Sequence, residues 1–213
     1  MSEILEIAPL HYPPLLLEIP DKPKTLYYRG SIPRWEEHKL LAVVGSRKYS
    51  EYAKSACQKL MEGLRGYPII IVSGLALGMD TIAHEAALRA GLKTIAIPGS
   101  GLHPDVIYPK TNFGLSMRIL QSGGLLLSEF PPKLQAAPYT FPKRNRIMAG
   151  LTHATLVVEA EERSGTLITS RLATEYNRDV LTVPGSIFSS TSAGPHMLLK
   201  MGATPIRSSQ DIL

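Results

Sequence analysis

The sequence predicts a doubly wound α/β domain whose mostly parallel sheet carries helices on both faces. Apolar runs that suit β-strands alternate along the chain with helical patterns of about ten to fifteen residues. These runs are continuous rather than alternating, as expected for strands buried on both faces. Aromatic residues make up only 7% of the chain and hydrophobic residues 44%, which indicates an aliphatic core. The predicted strands cover residues 40–44, 69–72, 94–97, 125–127, 154–158 and 180–183.

The first 38 residues differ in composition from the rest of the chain. They contain the six prolines Pro9, Pro13, Pro14, Pro20, Pro23 and Pro33. Proline interrupts both helices and central strands, so only short helices or extended pieces fit this segment. We therefore expect residues 1–38 to form an extension that packs on a main domain of residues 39–213.

Helical spacing of apolar residues follows the strands. After the first strand, one apolar face repeats every three to four residues; it consists of Ala53, Ala56, Cys57, Leu60, Met61 and Leu64. The same spacing covers residues 79–90 and 168–176. A last short helix is expected near residues 198–203, before an edge strand near residues 205–207. The exposed sheet edge near residues 180–207 is then a candidate surface for a homodimer.

Composition and charge narrow the classes of function. The formal net charge is +5 and the pI about 9.3, which favours an anionic partner. The N-terminus carries acids where a signal peptide needs Lys or Arg, and no apolar run approaches the ~18 residues of a membrane span. Cys57 is the single cysteine, and no Cys/His cluster has zinc spacing. We expect a cytoplasmic protein without membrane contact, metal or cofactor.

Glycine-bearing turns follow several predicted strands. Ligands of an open parallel sheet collect beyond the carboxyl ends of the strands, where these turns lie. A phosphate needs backbone amides at close range, and glycine lacks the Cβ that would hold it away. The turns predicted to bind phosphate are Gly45-Ser46-Arg47, Ser73-Gly74 with Gly78 before the next helix, and Ser164-Gly165-Thr166.

Two common nucleotide motifs are missing. The sequence contains no G-x-x-x-x-G-K-[ST], so P-loop hydrolysis is unsupported. Gly45-Ser46-Arg47 stands after the first strand, where a dinucleotide-binding fold carries G-x-G-x-x-G. An arginine in that place favours a ligand that supplies phosphate without an adenosine pocket.

A cationic segment follows the fourth predicted strand. Residues 130–158 contain no Asp or Glu, and Phe141-Pro142-Lys143-Arg144-Asn145-Arg146 sets cations beside an aromatic ring and an amide. Arginine offers a planar fork for phosphate, and an aromatic ring can stack on an unpaired base. Cations at a helix start oppose the helix dipole, so a bound polyanion would compensate them.

Candidate catalytic residues are few. Asp80 and His84 are spaced for one helix face, where they could form an acid–base pair, but a structural role is the stronger expectation. Glu129 and Glu159 end two strands near the same sheet edge. We expect them to orient Arg47 or Arg146 rather than to act on a substrate.

These motifs, taken in order, resemble the DNA processing protein DprA (Smf) family. The matching region spans about residues 40–213, and Tyr12-Pro13 to Gly30 looks like the family's lead-in. The motifs are Val43-Val44-Gly45-Ser46-Arg47, Val72-Ser73-Gly74-Leu75-Ala76-Leu77-Gly78-Met79-Asp80 with Ala83-His84, Tyr108-Pro109, Leu127-Ser128-Glu129-Phe130-Pro131, Phe141-Pro142-Lys143-Arg144-Asn145-Arg146-Ile147, Val158-Glu159-Ala160, Ser164-Gly165-Thr166-Leu167-Ile168-Thr169 and Val183-Pro184-Gly185.

The resemblance implies a Rossmann-like domain that binds single-stranded DNA, dimerises and helps to load RecA recombinase during natural transformation. It also implies that one set of residues lies near the DNA: Arg47, Phe141, Arg144, Asn145, Arg146 and the turn of residues 164–166. The chain departs from the family pattern at Ala53 and at Ala193-Gly194-Pro195-His196. Its length leaves room for neither the N-terminal helical domain nor the C-terminal winged helix of many members, so RecA loading is a weaker expectation than DNA binding.

Two other functions stay open at the level of sequence. A nucleotide phosphoribohydrolase of the lysine decarboxylase-like group uses a similar sheet; here Ser164-Gly165-Thr166 would hold the monophosphate, with Arg146 and Glu159 near the ribose. The Pro-Gly-Gly that this group carries before Gly-Thr is missing, and Thr169-Ser170 occupy the neighbourhood of its glutamate. The third possibility is an adaptor for a recombinase whose main interface is protein.

Overall fold

The computed structural model describes residues 3–213, which build one nine-stranded sheet with seven α-helices. Short 3-10 turns connect several of these elements. The strands are β1 (Leu5–Ile7), β2 (Leu26–Gly30), β3 (Lys39–Val44), β4 (Ile69–Ser73), β5 (Thr94–Ala96), β6 (Leu125–Ser128), β7 (Ala154–Val157), β8 (Asp179–Thr182) and β9 (Thr204–Pro205). The helices are α1 (Pro14–Glu18), α2 (Glu51–Gly63), α3 (Met79–Arg89), α4 (Phe113–Gln121), α5 (Thr140–Leu151), α6 (Gly165–Glu175) and α7 (Ala193–Lys200).

The strand order creates one switch point in the sheet. The order is β1-β2-β6-β5-β4-β3-β7-β8-β9, and all pairs from β6 to β9 are parallel. The chain therefore winds outward from β3 in one direction through β6, and then from β7 in the other direction through β9. The crevice beyond the carboxyl ends of β3 and β7 is where such a sheet binds its ligands. The predicted doubly wound, Rossmann-like fold is confirmed.

The N-terminal segment extends the sheet. β2 pairs antiparallel with β6, and β1 pairs antiparallel with β2. α1 packs on α5, where Ile19 occupies the space that a side chain on Gly150 would need. Two arginines of the main domain also hold this segment: Arg146 donates to the backbone oxygen of Asp21, and Arg178 to Glu18 at 2.8 Å. The domain boundary near residue 38 stays a prediction.

Apolar side chains fill both sides of the sheet. α2 and α3 bury the predicted stripe of Ala53, Cys57, Leu60 and Met61 against one face. α1, α5 and α7 pack on the other face, and α4 covers a smaller cluster near β5 and β6. No helix within residues 3–213 is long and apolar enough to cross a membrane.

The C-terminal elements differ from the sequence expectation. α7 spans Ala193–Lys200 rather than residues 198–203, and β9 spans Thr204–Pro205 rather than residues 205–207. Pro195 lies in the first turn of α7, where the missing amide hydrogen bond costs nothing.

Candidate functional site

A cavity of about 400 Å³ opens at the switch point of the sheet. The turn after β3, the start of α3, one face of α5 and the start of α6 form its walls. We call it the switch-point pocket. It brings together most of the predicted binding residues: Gly45, Ser46, Arg47, Phe141, Arg144, Asn145, Ser164, Gly165 and Thr166.

Arg144 of α5 is the buried cation of this pocket. The residue is only 6% exposed, and its Nη1 donates to the backbone oxygen of Ile97 at 2.6 Å. Its Nε has no hydrogen-bond partner, and Arg144 forms no salt bridge with any carboxylate of residues 3–213. Burial lowers the pKa of this guanidinium, while the charge of Asp80 acts in the opposite direction. Asp80 supplies a nearby negative charge but no direct salt bridge, so a buried guanidinium at this position favours an anionic ligand that can pair with it directly.

Gly74 makes the position of Arg144 possible. A Cβ on Gly74 would lie 1.6 Å from Nη1 of Arg144, so the guanidinium fills the space that a side chain would take. Gly74 therefore supports the cation and lines only the narrower cavity beside the switch-point pocket. The turn after β4 was predicted to offer its amides to phosphate; in the structure it provides room for an arginine.

Asp80 and His84 do not form an acid–base pair. The Asp80 carboxylate accepts a hydrogen bond from the Ala76 amide at 3.3 Å, at the start of α3. Burial raises its pKa, and the charge of Arg144 opposes that shift. His84 is fully buried, with Nδ1 2.7 Å from the Thr94 hydroxyl. Burial lowers the pKa of His84 to about 3, so the imidazole is neutral and supports the fold.

An aromatic and cationic wall stands beside Arg144. The Arg47 guanidinium carbon lies 5.7 Å from the centre of the Phe141 ring, a cation–π distance. The Tyr108 ring lies 5.9 Å from the Phe141 ring at 52°. Together with Leu77, these side chains line the narrower cavity. Tyr108 and Leu77 were missing from the predicted site, although both belong to the sequence motifs that resemble those of the family.

Gly78 and Ser73 hold the pocket wall from behind. Gly78 has φ +85°, and a Cβ there would lie 2.5 Å from the backbone of Arg47. The Met79 amide donates to the Ser46 oxygen at 3.1 Å, which fixes the turn after β3 against α3. The buried Ser73 hydroxyl donates to the Val43 oxygen at 2.7 Å. Both were predicted as phosphate ligands, and both instead shape the turn that carries Arg47.

The start of α6 forms the opposite wall. The Ser164 hydroxyl caps the helix by accepting from the Thr166 amide at 3.2 Å. Gly165 borders open space, since a Cβ there would meet nothing within 4 Å. Arg163 and Lys48 add two exposed cations to the lining. The sequence prediction omitted both, although each directly adjoins a predicted turn.

Arg146 and Lys143 lie outside the pocket. Arg146 contacts the carboxylate of Glu129 and lies 3.7 Å from that of Asp21. It projects from another face of α5 than Arg144, because residues two apart on a helix do not share a face. Lys143 is exposed and lies 5.7 Å from the Tyr139 ring centre. Both were predicted as phosphate ligands, and that role stays a prediction; Arg146 contacts both the N-terminal segment and the end of β6.

The two predicted orienting carboxylates have different roles. Glu129 contacts Arg146, as expected, and burial raises its pKa while Arg146 opposes the shift. Within residues 3–213, Glu159 forms no salt bridge with an arginine side chain. It accepts from the Ser50 amide at 2.8 Å and contacts the Thr191 hydroxyl, so it fixes the start of α2.

Comparison with known families gives a match over almost the whole chain. The family model described as DNA recombination-mediator protein A matches residues 3–213. The DNA processing protein DprA of Streptococcus pneumoniae is 46% identical over 202 residues, covering 95% of this chain and 70% of that protein. Protein Smf of Escherichia coli is 42% identical over 202 residues, with 95% of this chain and 53% of that protein covered. The chain thus spans about half the length of the second relative.

Solved structures agree with these relatives. The X-ray structure of DNA processing protein A from Streptococcus pneumoniae matches with a TM-score of 0.90 and 43% identity, covering 99% of this chain and 73% of that chain. DNA processing protein A from Helicobacter pylori, whose structure describes a single-stranded DNA binding mode, matches with a TM-score of 0.88 and 30% identity. That match covers 100% of this chain and 96% of the other.

Proposed function

This chain belongs to the DNA recombination-mediator protein A family, and on that premise we propose that it binds single-stranded DNA in the switch-point pocket. The observation that carries the proposal is the buried guanidinium of Arg144, which lines the pocket without a salt bridge to any carboxylate of the described residues. A bound phosphate would give Arg144 the direct ion pair that no carboxylate of residues 3–213 forms with it. The single-stranded DNA binding of the Helicobacter pylori relative supports the same ligand.

Phosphates and bases would be held by different groups of the pocket. Arg47, Lys48 and Arg163 are exposed cations around the buried Arg144, and they can each approach a phosphate of a flexible strand. Phe141 is half-buried between Arg47 and Tyr108, and it can stack on an unpaired base. Stacking requires an unstacked base, so the arrangement favours single strands over duplex.

One titration series tests the proposal. We expect a labelled single strand to bind more tightly than the matching duplex, and nucleoside monophosphates to compete weakly. The affinity falls with salt by about 0.7 log units per log unit of salt for each phosphate neutralised. An affinity that does not change with salt concentration, or a preference for duplex DNA, would contradict the proposal.

We propose that the pocket binds its ligand without chemical turnover. His84 lies outside the pocket lining, and its neutral imidazole contacts the Thr94 hydroxyl. Asp80 lines the pocket, but its carboxylate accepts a hydrogen bond from the Ala76 amide and is influenced by the charge of Arg144. The phosphoribohydrolase alternative keeps one supporting observation, since Ser164, Gly165 and Thr166 do line the pocket. Incubation with nucleoside monophosphates distinguishes the two: we expect no free base, and release of free base would favour the enzyme.

A homodimer through the C-terminal sheet edge is the second part of the proposal. Ile187 and Phe188 are 80% and 94% exposed in the segment after β8, and Met197 and Met201 are exposed on or beside α7. An exposed apolar patch of this kind favours a protein partner. Light scattering should give a dimer mass for the chain and a monomer mass for Phe188→Glu; equal masses would count against this surface.

RecA loading and a cytoplasmic location complete the proposal. We infer both from membership of the family. The measurement is a pull-down of RecA by this chain with and without single-stranded DNA. Capture that needs DNA would support loading onto a bound strand, whereas DNA-independent capture would support a protein adaptor.

A further inference from the structure

A second groove lies beside the switch-point pocket. It encloses about 400 Å³ between α2 and the ends of β8 and β9. Its floor is apolar, because Leu60, Val183 and Ile206 are all buried there. Two exposed cations, Lys59 and Arg207, also line it. We call it the α2 groove.

Tyr52 lines the α2 groove from the first turn of α2, four residues along the chain from Lys48 of the switch-point pocket. Its hydroxyl donates to the backbone oxygen of Pro184 at 2.6 Å, which fixes the side chain across the gap between α2 and the turn after β8. The residue is nevertheless 56% exposed. An aromatic ring that is already fixed loses little conformational entropy when a ligand stacks on it.

The charges along this path favour a polyanion. Lys48 lines the pocket, and it is followed by Lys59 and Arg207 in the groove. Residues 180–210 contain no Asp or Glu. Arg207 lies 3.5 Å from Asp211 but is 82% exposed, and such a surface ion pair contributes little. Both groove cations therefore remain available to a ligand.

We propose that the α2 groove carries the part of a single DNA strand that leaves the switch-point pocket. One base stacks on Tyr52, and phosphates lie beside Lys59 and Arg207. The inference rests on the proposed function, because it extends the same ligand across a neighbouring surface. Its consequence is a binding site longer than the pocket alone, and the affinity should rise with strand length.

The test compares a short strand of about 6 nucleotides, which fills the pocket alone, with a long strand of about 20 nucleotides. The groove variant is Lys59→Gln with Arg207→Gln. The matched control is Arg65→Gln with Lys93→Gln, which removes the same charge from exposed positions that precede the central strands β4 and β5 and line neither the pocket nor the groove. Thermal melts establish that both variants are folded.

We expect the groove variant to bind the short strand like the unchanged protein and the long strand more weakly. For the long strand, the log–log salt slope should fall by about 1.4, or about 0.7 for each of two phosphates. Tyr52→Ala should lower long-strand affinity roughly fivefold or more, whereas Tyr52→Phe keeps the ring and most of the affinity.

The outcomes separate the inference from the proposed function. If the groove variant and its control bind the long strand equally, with equal salt slopes, the α2 groove is not a DNA path, and the pocket proposal stands. Equal losses for short and long strands would also overturn it, because the groove would then act on the pocket. If the unchanged protein binds neither strand, the proposed function itself fails.

Discussion

Arg144 and Gly74 share one space at the centre of the pocket. The guanidinium occupies the position of a missing side chain on Gly74, and its Nη1 is bonded to Ile97. This cation is buried because the residues that follow β4 and β5 and one face of α5 enclose it together. The sequence placed a glycine after β4 and an arginine on α5, but only the fold shows that one makes room for the other.

Gly74→Ala should therefore weaken DNA binding without any change of charge. The new Cβ would displace the Arg144 guanidinium, and overpacking of this kind costs about 1–3 kcal/mol of stability. Gly114→Ala is the matched control, because a Cβ there would meet nothing within 4 Å and Gly114 lies on α4, outside the pocket lining. Filter binding and urea denaturation measure both effects. Equal DNA affinity of the two variants would contradict the supporting role of Gly74.

His84 should make the stability of the protein depend on pH. Its pKa is about 3 in the folded chain against 6.5 without burial, so the unfolded chain binds more protons between these values. Stability is thus lost as pH falls from 6.5 towards 3, by at most about 1.4 kcal/mol per pH unit. Urea midpoints across this range should fall more steeply for the unchanged chain than for His84→Gln. His11→Gln, at an exposed position, should leave the slope unchanged; identical slopes for all three proteins would refute the assignment.

At the scale of elements, the strands of the main domain were predictable, whereas the two N-terminal strands were not. β3 to β8 are largely continuous apolar runs, as expected for strands that are buried on both faces of the sheet. β1 and β2 lie in a proline-rich segment, and their antiparallel pairing with β6 depends on contacts far along the chain. The ion pairs of Arg146 could not be predicted for the same reason: its partners Asp21 and Glu129 come from other elements.

Removing residues 1–38 should expose the apolar surface and the sheet edge that the N-terminal elements cover. Leu16, Ile19 and Leu26 are buried against the main domain, and β2 covers the edge of β6. An uncovered, apolar sheet edge promotes aggregation. We expect the fragment of residues 39–213 to aggregate or to lose its cooperative thermal transition, as measured by size-exclusion chromatography and circular dichroism. A monodisperse, cooperatively melting fragment would instead support the predicted domain boundary.

At the scale of the whole molecule, the topology explains why distant motifs meet. The turn after β3, the start of α3, the face of α5 and the start of α6 all converge on the point where the strand order reverses. Strand-end positions could be predicted from the sequence, and most of the predicted binding residues do line one pocket. Which cations face that pocket could not be predicted, because Arg144 and Arg146 are separated by helix rotation and by partners that the fold alone brings near.

The most direct test of the account compares Arg144→Gln with Lys143→Gln in binding a labelled single strand at fixed salt. Both substitutions remove one positive charge from neighbouring positions of α5, but only Arg144 lines the pocket. With both variants folded, fluorescence anisotropy should show a loss of about tenfold or more for Arg144→Gln, as expected for a charged hydrogen bond, and a loss within about twofold for Lys143→Gln. Equal affinities for the two variants would contradict the claim that the switch-point pocket holds the DNA.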